Sequence, residues 1–334
     1  MLMPAHSHSP AEKLAEAARY HDYRYASNPV GDGTIGPIPA IQWGAEFHEQ
    51  GGTRIVPLDN SQAIATTCPA TTPGLLASFM HVRPGDAIVT EADATSQLFF
   101  VMRGAGTSQL VDTIGSGGYP SDELPWQAGD LFTLPAGCRA THVAGEDAAI
   151  YWVHDGPLIH YLGATASRPR FSPTLYPREQ IRRALDAVAH DPSSATANRI
   201  SVLLGNRVFP QTLTITHVVW AMFGLLPVNA LQSPHRHQSV AVDLVVDAKP
   251  GCYTLVGEKL DASGAIDKPK RFDWKPHSAF VTPPGLWHSH HNESGHPAHI
   301  LPIQDAGLHT FLRTLDIRFS RKTAAGCEVV GSAG

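Results

Sequence analysis

The residues of this chain whose types and spacing could support chemistry are histidines in its C-terminal half. His235 and His237, in the segment SPHRHQS, are separated by one residue, so on a β-strand both imidazoles point to the same face. His288 follows the turn sequence TPPGLW, which could deliver it beside the first pair from an adjacent strand. Three neutral imidazoles, with no fourth ligand at the spacing of a closed site, leave coordination positions open. The pattern therefore predicts a catalytic rather than a structural metal.

The segment that carries His288 is rich in histidine, and its other histidines need separate interpretations. The sequence FVTPPGLWHSHHNESGHPAHI fits a metal site, a proton relay or a solvated loop. His290 lies two residues after His288 and faces the same side if the backbone is extended. His291, His296 and His299 match no ligand spacing, and we interpret them as loop or strand-edge residues.

Composition and charge exclude several classes of protein. The chain has 334 residues, of which 43% are hydrophobic and 16% charged, as in globular proteins with a buried core. A net charge of −5 gives no electrostatic reason to bind nucleic acid or an anionic membrane, and no apolar run approaches the roughly 20 residues of a membrane span. The N-terminal segment lacks the apolar core of a secretory signal, and the four cysteines form no Cys-x-x-Cys pair. We therefore expect a cytoplasmic protein with free thiols.

Short apolar runs separated by 27 prolines and 29 glycines favour an all-β sandwich or barrel architecture. Two units, at residues 54–165 and 198–320, share an order of strands and Pro-Gly turns, which indicates an internal duplication. The predicted strands of the first unit are GLLASFMHV, SQLFFVM, GTSQLVD, DLFTLP and AAIYWVH. Those of the second unit are RISVLLG, LTITHVVWAMFGLL, VAVDLVVDA, GCYTLVGE, SAFVTPP and HTFLRTLDIRF.

A linker rich in Pro and Arg, at residues 166–197, separates the two units. Ile181, Leu185 and Val188 recur there with helical spacing, so the linker is predicted to contain a connecting helix. The remaining segments are an N-terminal extension at residues 1–53, with an amphipathic helix expected over 11–25, and a C-terminal tail at residues 321–334.

A His-x-His strand followed by a Pro-x-Gly-x-x-His turn resembles the two motifs of the cupin superfamily. The pieces PHRHQS and WHSHHN are similar to signatures of the gentisate 1,2-dioxygenase family and its salicylate-cleaving relatives. The resemblance covers about residues 198–318 and implies two jelly-roll barrels, also called double-stranded β-helices. The matching motif residues are His235, His237, Pro283, Gly285 and His288.

The first unit keeps the cupin spacing without the histidines. Glu91 and Asp93 stand at the His-x-His positions, and Ala140 stands where the third ligand is expected. The acidic pair could hold a hard cation, but with Ala140 opposite it a metal-free structural barrel is favoured. Bicupin relatives in this family usually carry iron in the first barrel, whereas here the second barrel is expected to hold it.

The resemblance implies an extradiol-type dioxygenase that opens an aromatic ring. One Fe(II) per chain would be held by His235, His237 and His288, with O2 as co-substrate. A small aromatic 2-hydroxy acid would chelate the iron through its carboxylate and its ortho-hydroxyl group. His290 corresponds to a histidine beside the family's ligands and is the candidate acid or base, with hydrogen bonding inside the turn as the alternative. A homo-oligomer, either a dimer or a tetramer, is expected from the family.

Five further residues are candidates for substrate binding by the same resemblance. Arg199 aligns with a family Arg that contacts the substrate carboxylate, Gln238 follows the ligand pair, and Phe223 falls near a polar pocket position. Asp243 stands where the family has a second Arg, and Arg313 stands where it has an Asp. We hypothesise that these two charges have exchanged places and pair near the metal, because a swapped pair keeps the pocket neutral. The substitutions suggest a substrate other than gentisate, such as a substituted or less polar salicylate.

Two other classes of function stay open at the level of sequence. The metal could serve another cupin chemistry, such as that of an isomerase or of a thiol or diketone dioxygenase. Alternatively, the barrel could bind a small molecule without catalysis. Metal content measured together with oxygen uptake would separate these classes.

Overall fold

The structure is a computed structural model that describes residues 9–115, 117–323 and 326–331. It divides into two compact units, Met1–Pro37 and Ile38–Gly334. In the described part of the chain, every helix is too short or too polar to cross a membrane.

The N-terminal unit contains two short helices, α1 (Pro10–Ala15) and α2 (Tyr23–Ala26). Ser9 caps α1, because its hydroxyl accepts the N–H of Glu12 while the Glu12 carboxylate accepts the N–H of Ser9. The single amphipathic helix expected over 11–25 is wrong, since α1 has six residues and buries none of them. One Leu and several Ala provide little apolar area to bury, and so short a helix gains little from its own hydrogen bonds.

The first barrel consists of antiparallel strands in two sheets, and all five strand segments predicted for it are confirmed. Its larger sheet has the strand order β11-β8-β5-β10-β3-β2, and its smaller sheet has the order β4-β9-β6-β7. The elements up to the end of this barrel are β1 (Gln42–Trp43), α3 (Glu46–Glu49), β2 (Arg54–Pro57), α4 (Ser61–Ile64), β3 (Leu76–Val82), β4 (Ala87–Thr90), β5 (Ser96–Arg103), β6 (Ala105–Asp112), β7 (Glu123–Gln127), β8 (Leu131–Pro135), β9 (Cys138–Ala144), β10 (Ala148–His154), α5 (Gly156–Tyr161) and β11 (Thr174–Tyr176).

The connecting helix predicted in the linker is confirmed as α6 (Arg178–Ala189). It begins after Pro177, whose fixed backbone angle suits a helix start. Its apolar face buries Ile181 and Leu185, and it packs against the first two strands of the second barrel.

The second barrel repeats the two-sheet arrangement, and it recruits strands from both ends of the larger unit. One sheet has the order β1-β18-β15-β20-β13-β12, with β21 pairing to β13 and β15, and the other has the order β17-β16-β19-β14-β22-β23. Its elements are β12 (Ile200–Leu204), β13 (Trp220–Leu226), β14 (His235–Arg236), β15 (Ala241–Asp247), β16 (Cys252–Gly257), β17 (Lys270–Asp273), β18 (Ala279–Thr282), β19 (Trp287–Asn292), β20 (Ala298–Leu301), β21 (Ile303–Gln304), α7 (Ala306–Leu312), β22 (Arg318–Thr323) and β23 (Gly326–Gly331).

The final segment of this barrel differs from the sequence prediction. HTFLRTLDIRF was expected to be one strand, but its first residues belong to α7 and only its end belongs to β22. Arg313 adopts a left-handed conformation, with φ of 60°, and ends the helix. Residues placed in a C-terminal tail instead continue β22 and form β23, a hairpin that extends the sheet carrying β14 and β19.

The two barrels share a hydrophobic core between their larger sheets. Phe100 and Tyr151 from the first barrel are buried in it together with Val242 and Leu244 from β15. Because side chains alternate along a strand, Asp243 between these two residues points away from this core and into the second barrel.

Candidate metal centre

Two of the predicted ligands come together because their strands are neighbours in one sheet. His235 on β14 lies directly opposite His288 on β19, and their ring centres are 4.0 Å apart. The ring of His237 lies 4.9 Å from that of His288. Gly285, in the turn before β19, donates its backbone N–H to the carbonyl oxygen of His237 at 2.7 Å. The Pro-Pro-Gly turn therefore ties the third ligand position to the His-x-His segment, as the spacing predicted.

His290 belongs to the same group of imidazoles. The possible ligand atoms of His235, His288 and His290 all lie within 4.8 Å of one another. His237 stands outside this distance group, with its ring centre 6.4 Å from that of His235. The group defined by distance therefore contains His290 in place of His237, which the sequence predicted as a ligand.

All four imidazoles are neutral near pH 7 because they are buried. Burial lowers the pKa of His237 to about 4, and it lowers the pKa of His235, His288 and His290 well below the ordinary value for histidine. Each ring therefore offers an unprotonated nitrogen at physiological pH, which is the form that binds metals.

The hydrogen bonds at Nδ1 distinguish three of the rings from the fourth. In His235, His237 and His288, Nδ1 faces a backbone carbonyl oxygen, which can only accept a hydrogen bond. The proton of each neutral ring is therefore on Nδ1, and the Nε2 lone pair is available to a metal. The three carbonyls belong to Ser233, Ser239 and Leu286, at 3.2, 2.8 and 3.2 Å.

His237 provides the clearest test of whether these residues fit a metal. Its Nε2 is buried and has no hydrogen-bond partner among the described residues. Its Nδ1 is held from the other side by the hydroxyl of Ser239 at 3.0 Å, and this hydroxyl donates to Oε1 of Gln304 at 2.9 Å. A buried, unpaired acceptor is unfavourable unless something occupies it. A metal ion bound at Nε2 would satisfy it, so the residues present fit a divalent metal.

The contacts of His290 favour the opposite tautomer. Its Nδ1 lies 2.8 Å from Oγ1 of Thr254, which also accepts the indole N–H of Trp274 at 2.8 Å. Because the hydroxyl already accepts from the indole, its own proton is free to go to Nδ1 of His290. The ring then carries its proton on Nε2 and offers an N–H donor to the centre of the barrel rather than a metal-binding lone pair.

Arg199 places a positive charge next to the imidazoles. Its Nη2 donates to Nε2 of His235 at 2.7 Å, and Nη1 lies 3.7 Å from Sδ of Met222. Burial lowers the pKa of the guanidinium from its ordinary value, and the carboxylate of Asp243 opposes this shift. Because the guanidinium group stays protonated in proteins, Arg199 carries a positive charge. A metal on His235 would take the lone pair that Arg199 now uses, which would free Nη2 for another acceptor.

Comparisons with known proteins identify the fold. No family model and no curated protein matches the chain. A solved structure of salicylate 1,2-dioxygenase from Pseudoaminobacter salicylatoxidans superposes with a TM-score of 0.67 and 14% identity, over 92% of this chain and 96% of that one. The same enzyme with gentisate gives 0.64 and 14% over 95% and 96%, and a Bacillus subtilis oxalate decarboxylase variant gives 0.51 and 12% over 80% and 78%.

The chain has the bicupin fold. This result agrees with the architecture expected from the motifs.

The first barrel of the bicupin keeps the arrangement around His290 without the metal ligands. Oγ of Ser108 accepts the indole N–H of Trp126 at 2.9 Å and lies 2.7 Å from Nδ1 of His142. Here the Nε2 of His142 is also taken, by Oγ1 of Thr90 at 2.8 Å. Burial lowers the pKa of His142 to about 3. Since protein groups satisfy both nitrogens, His142 is a structural residue.

The acidic residues at the ligand positions of the first barrel do not converge. Glu91 and Asp93 are both exposed, and Asp93 accepts the backbone N–H of Ala166 at 3.0 Å. Ala140 is buried in the interior of the barrel. Among the described residues, the second barrel alone groups three or more potential metal ligands.

The hypothesis that Asp243 and Arg313 form a swapped ion pair is wrong. Arg313 is exposed at the end of α7, and its guanidinium donates to the carbonyl of Phe311. Asp243 is buried and accepts the hydroxyl proton of Thr282 at 2.7 Å. Burial raises the pKa of Asp243 to about 7, while Thr282 and the charge of Arg199 act in the opposite direction. The positive charge that acts on Asp243 is therefore that of Arg199. The sequence alignment placed Arg313 on a strand, but this part of the chain is the end of α7.

Two other candidates point away from the site. Gln238 is exposed and accepts the backbone N–H of Asp316 at 2.6 Å, because it alternates with His237 along the chain. Phe223 lies in the core between the barrels, 6.4 Å from Phe100, on the face of β13 opposite to Met222. Neither residue faces the imidazoles, so the prediction that they contact the substrate is wrong.

The residues that orient the imidazoles were missed at the level of sequence. Thr254 and Trp274 come from other parts of the barrel and form no motif with the histidines, whereas Ser239 belongs to the piece PHRHQS but was given no role. One signal was present, namely that His142 follows Ala140 at the same spacing as His290 follows His288.

Proposed function

We propose that this protein is a non-haem Fe(II) dioxygenase that cleaves the ring of an aromatic 2-hydroxy acid. The observation that carries the proposal is the pairing of neutral, buried imidazoles with a guanidinium at the same point. Nη2 of Arg199 is 2.7 Å from the Nε2 atom of His235 that a metal would use. A metal beside a fixed cation favours an anionic ligand that chelates, and a 2-hydroxy carboxylate has this chemistry.

The proposed ligands are His235, His237 and His288, with His290 outside the set. The choice follows the tautomers, since the three ligands have Nδ1 against carbonyl oxygens while His290 has Nδ1 against the hydroxyl of Thr254. This choice also provides a partner, the metal, for the buried Nε2 of His237, which has none among the described residues. Three histidines on a divalent metal leave room for substrate and O2.

Bound iron would hold the substrate and O2 in contact and pass electron density from the ring to the oxidant. Arg199 then binds the substrate carboxylate through its fork of N–H groups and fixes the orientation of the ring. His290 holds a proton on Nε2 and donates a hydrogen bond to oxygen that gains negative charge as the ring opens. Burial of the imidazoles keeps water from competing for these donors.

The fold supports this class of reaction. Salicylate 1,2-dioxygenase structures, including one solved with gentisate, share the bicupin fold over more than nine-tenths of the chain. We propose a substrate other than gentisate, because Asp243 places a carboxyl group near Arg199 inside the second barrel.

The experiment is oxygen uptake by anaerobically loaded protein. Purified chain is stripped of metal, loaded with Fe(II) without oxygen, and tested with gentisate, substituted salicylates and hydroxynaphthoates. Uptake with at least one acid, absent from the Zn(II)-loaded protein and from His288→Ala, is the expected result. No uptake with any acid in the panel, at full iron occupancy, would overturn the proposal and favour a cupin that binds small molecules or has other metal chemistry.

A further inference from the structure

A cavity of about 470 Å³ lies apart from the metal centre, and the proposed reaction does not use it. Three parts of the chain form it, namely the segment before β11, the loop between β12 and β13, and α7. Neither the clustered imidazoles nor Arg199 lines it. Its volume is in the range that binds small organic molecules.

The walls of this cavity are mainly apolar. They include two aromatic rings, Phe209 from the loop and Phe311 from α7, and two aliphatic side chains, Val218 and Leu308. Phe209 and Val218 are buried, whereas Phe311 is 62% exposed. An apolar ligand in the cavity would remove part of this exposed aromatic surface from water, which favours binding.

Backbone hydrogen bonds hold the walls in place. The N–H of Leu308 donates to the carbonyl of Val218 at 3.2 Å, which joins α7 to the loop. The N–H of Phe209 donates to the carbonyl of Asn206 at 2.9 Å, and the carbonyl of Phe209 accepts the N–H of Leu213 at 3.0 Å. The cavity is therefore formed before a ligand enters it, which reduces the entropy that binding costs.

His217 lines the cavity with an imidazole that lacks a partner at one nitrogen. The centre of its ring lies 5.7 Å from that of Phe209 and 6.3 Å from that of Phe171. Its Nδ1 is buried and has no hydrogen-bond partner among the described residues. Burial, together with the charge of Arg170, lowers the pKa of His217 to about 4, so at pH 7 the neutral ring has one N–H donor and one lone pair.

Arg170 brings a positive charge to the same cavity. Its side chain is exposed, and it makes no ion pair or hydrogen bond with any residue in the described part of the chain. A guanidinium stays protonated and presents a planar fork of N–H donors that matches a carboxylate. A cation without an anionic partner, beside aromatic walls, favours an organic anion as the ligand.

We propose that this cavity is a binding site for an aromatic monocarboxylate, separate from the metal centre. The ring of the ligand packs between Phe209, Leu308 and Phe311. Its carboxylate accepts hydrogen bonds from the guanidinium of Arg170 and from the N–H of His217. Because no metal takes part, the ligand needs no ortho-hydroxyl group, unlike the proposed substrate. The site would bind its ligand whether or not the chain has the proposed dioxygenase activity.

The probe for this site is 1-naphthoate, a carboxylate with two fused rings and no hydroxyl group. Calorimetric titration of the full chain after chelator treatment should show binding at one site, and loading with Zn(II) should leave that affinity unchanged. Naphthalene-1-carboxamide has the same rings without the charge. It should bind about tenfold more weakly or less, because hydrogen bonds between charged groups are stronger than those of neutral ones.

Substitutions with matched controls assign the probe to the cavity. Arg170→Gln should weaken 1-naphthoate binding by about tenfold, and Phe311→Ala should weaken it severalfold. Both side chains are exposed, so neither change should unfold the protein. Arg168→Gln and Leu312→Ala change exposed neighbours that do not line the cavity and should leave the affinity unchanged. His217→Phe keeps a ring without the nitrogens and should weaken binding severalfold, with the melting temperature as the check on folding.

Three results would overturn the site. The first is no binding of 1-naphthoate to the metal-free chain, and the second is an equal loss of affinity in Arg170→Gln and Arg168→Gln. The third is equal affinity for the carboxylate and the carboxamide, since the charge of Arg170 would then have no effect.

A second copy of the chain is the alternative occupant of this cavity. Light scattering would then give twice the mass of the chain, Phe311→Ala would reduce that mass, and no probe would bind. This result would also overturn the proposed site. Oxygen uptake by the Fe(II)-loaded protein tests the proposed function separately from all of these outcomes.

Discussion

The four imidazoles of the second barrel differ in the group that faces Nδ1, and the difference determines which of them can bind a metal. Carbonyl oxygens face Nδ1 of His235, His237 and His288, so each carries its proton on Nδ1 and has an unprotonated Nε2. A hydroxyl faces Nδ1 of His290. Distances alone group His290 with His235 and His288 and leave out His237, but a protonated Nε2 cannot coordinate a metal, so we propose His237 rather than His290 as the third ligand.

Substitution of single histidines tests this assignment. His237→Ala should weaken Zn(II) or Co(II) affinity by more than about 100-fold, because losing a ligand costs more than the roughly 10–100-fold typical of losing a residue that only orients one. His290→Ala should change affinity by only a few-fold. Competition with a chromophoric chelator provides the measurement. A loss of metal from His290→Ala as large as that from His237→Ala would place His290 among the ligands.

The hydroxyl of Thr254 is expected to hold the tautomer of His290. Thr254→Val keeps the shape but leaves the indole of Trp274 and Nδ1 of His290 buried without partners, at a cost of about 1–3 kcal/mol in the free energy of unfolding. Thr254→Ser, which keeps the hydroxyl, should cost less. Nitrogen-15 spectra of the imidazole should show the proton on Nε2 in the native protein and in Thr254→Ser. A proton on Nδ1 in the native protein would contradict the tautomer assignment.

At the scale of elements, the ladder between β14 and β19 was predictable, and the segment after β21 was not. The spacing His-x-His and the turn TPPG both depend on local backbone geometry, and the structure confirms that they bring His235 and His288 together. HTFLRTLDIRF contains apolar residues at spacings that suit a strand and a helix alike, and packing against the barrel decides for the helix. The predicted substrate contacts of Gln238 and Phe223 are wrong because a sequence alignment does not determine which face of a strand a side chain occupies.

Substitution of Arg313 tests whether this residue ends α7 rather than binding the substrate. A non-glycine residue in the left-handed region is strained, so Arg313→Gly should raise the free energy of unfolding by about 1 kcal/mol. Arg313→Ala keeps the strain and serves as the control, with no gain expected. Urea denaturation measures both. A marked fall in substrate affinity for Arg313→Ala would instead return Arg313 to the site.

At the scale of the whole molecule, the two barrels show the same scaffold with and without a cluster of buried imidazoles. The Trp-hydroxyl-His arrangement is present in both, at His142 and at His290. In the first barrel the hydroxyl of Thr90 contacts the other ring nitrogen of His142, Nε2. In the second barrel the other imidazoles and Arg199 surround Nε2 of His290. The spacing of the sequence motifs predicts the duplication. The hydroxyls that orient the two histidines could not be predicted, because they lie on neighbouring strands that are distant in the sequence.

The many buried neutral histidines should make the metal-free protein sensitive to acid. Their folded pKa values lie below the roughly 6.5 of an unfolded histidine, so their stabilising contribution is complete above pH 6.5 and is lost as the pH falls toward 4. Asp243 and Asp305, with pKa raised to about 7, act in the opposite direction over part of this range. The histidines with pKa lowered to about 4 or below are His142, His154, His217, His237 and His277.

Because these histidines outnumber the two carboxyl groups, the free energy of unfolding should be lower at pH 5 than at pH 7. Urea titrations of chelator-treated protein at the two pH values provide the comparison. A value at pH 5 equal to or above that at pH 7 would mean that the carboxyl groups dominate.

We propose that the protein adds both atoms of O2 to an aromatic 2-hydroxy acid whose ring it opens. The most direct measurement is mass spectrometry of the product formed by the Fe(II)-loaded protein from a hydroxy acid under oxygen-18 gas. Two labelled oxygen atoms in a ring-opened product are predicted. A product with an intact ring, or a ring-opened product whose new carboxylate carries no label, would contradict the claim, whereas the label in the oxo group can be lost by exchange with water.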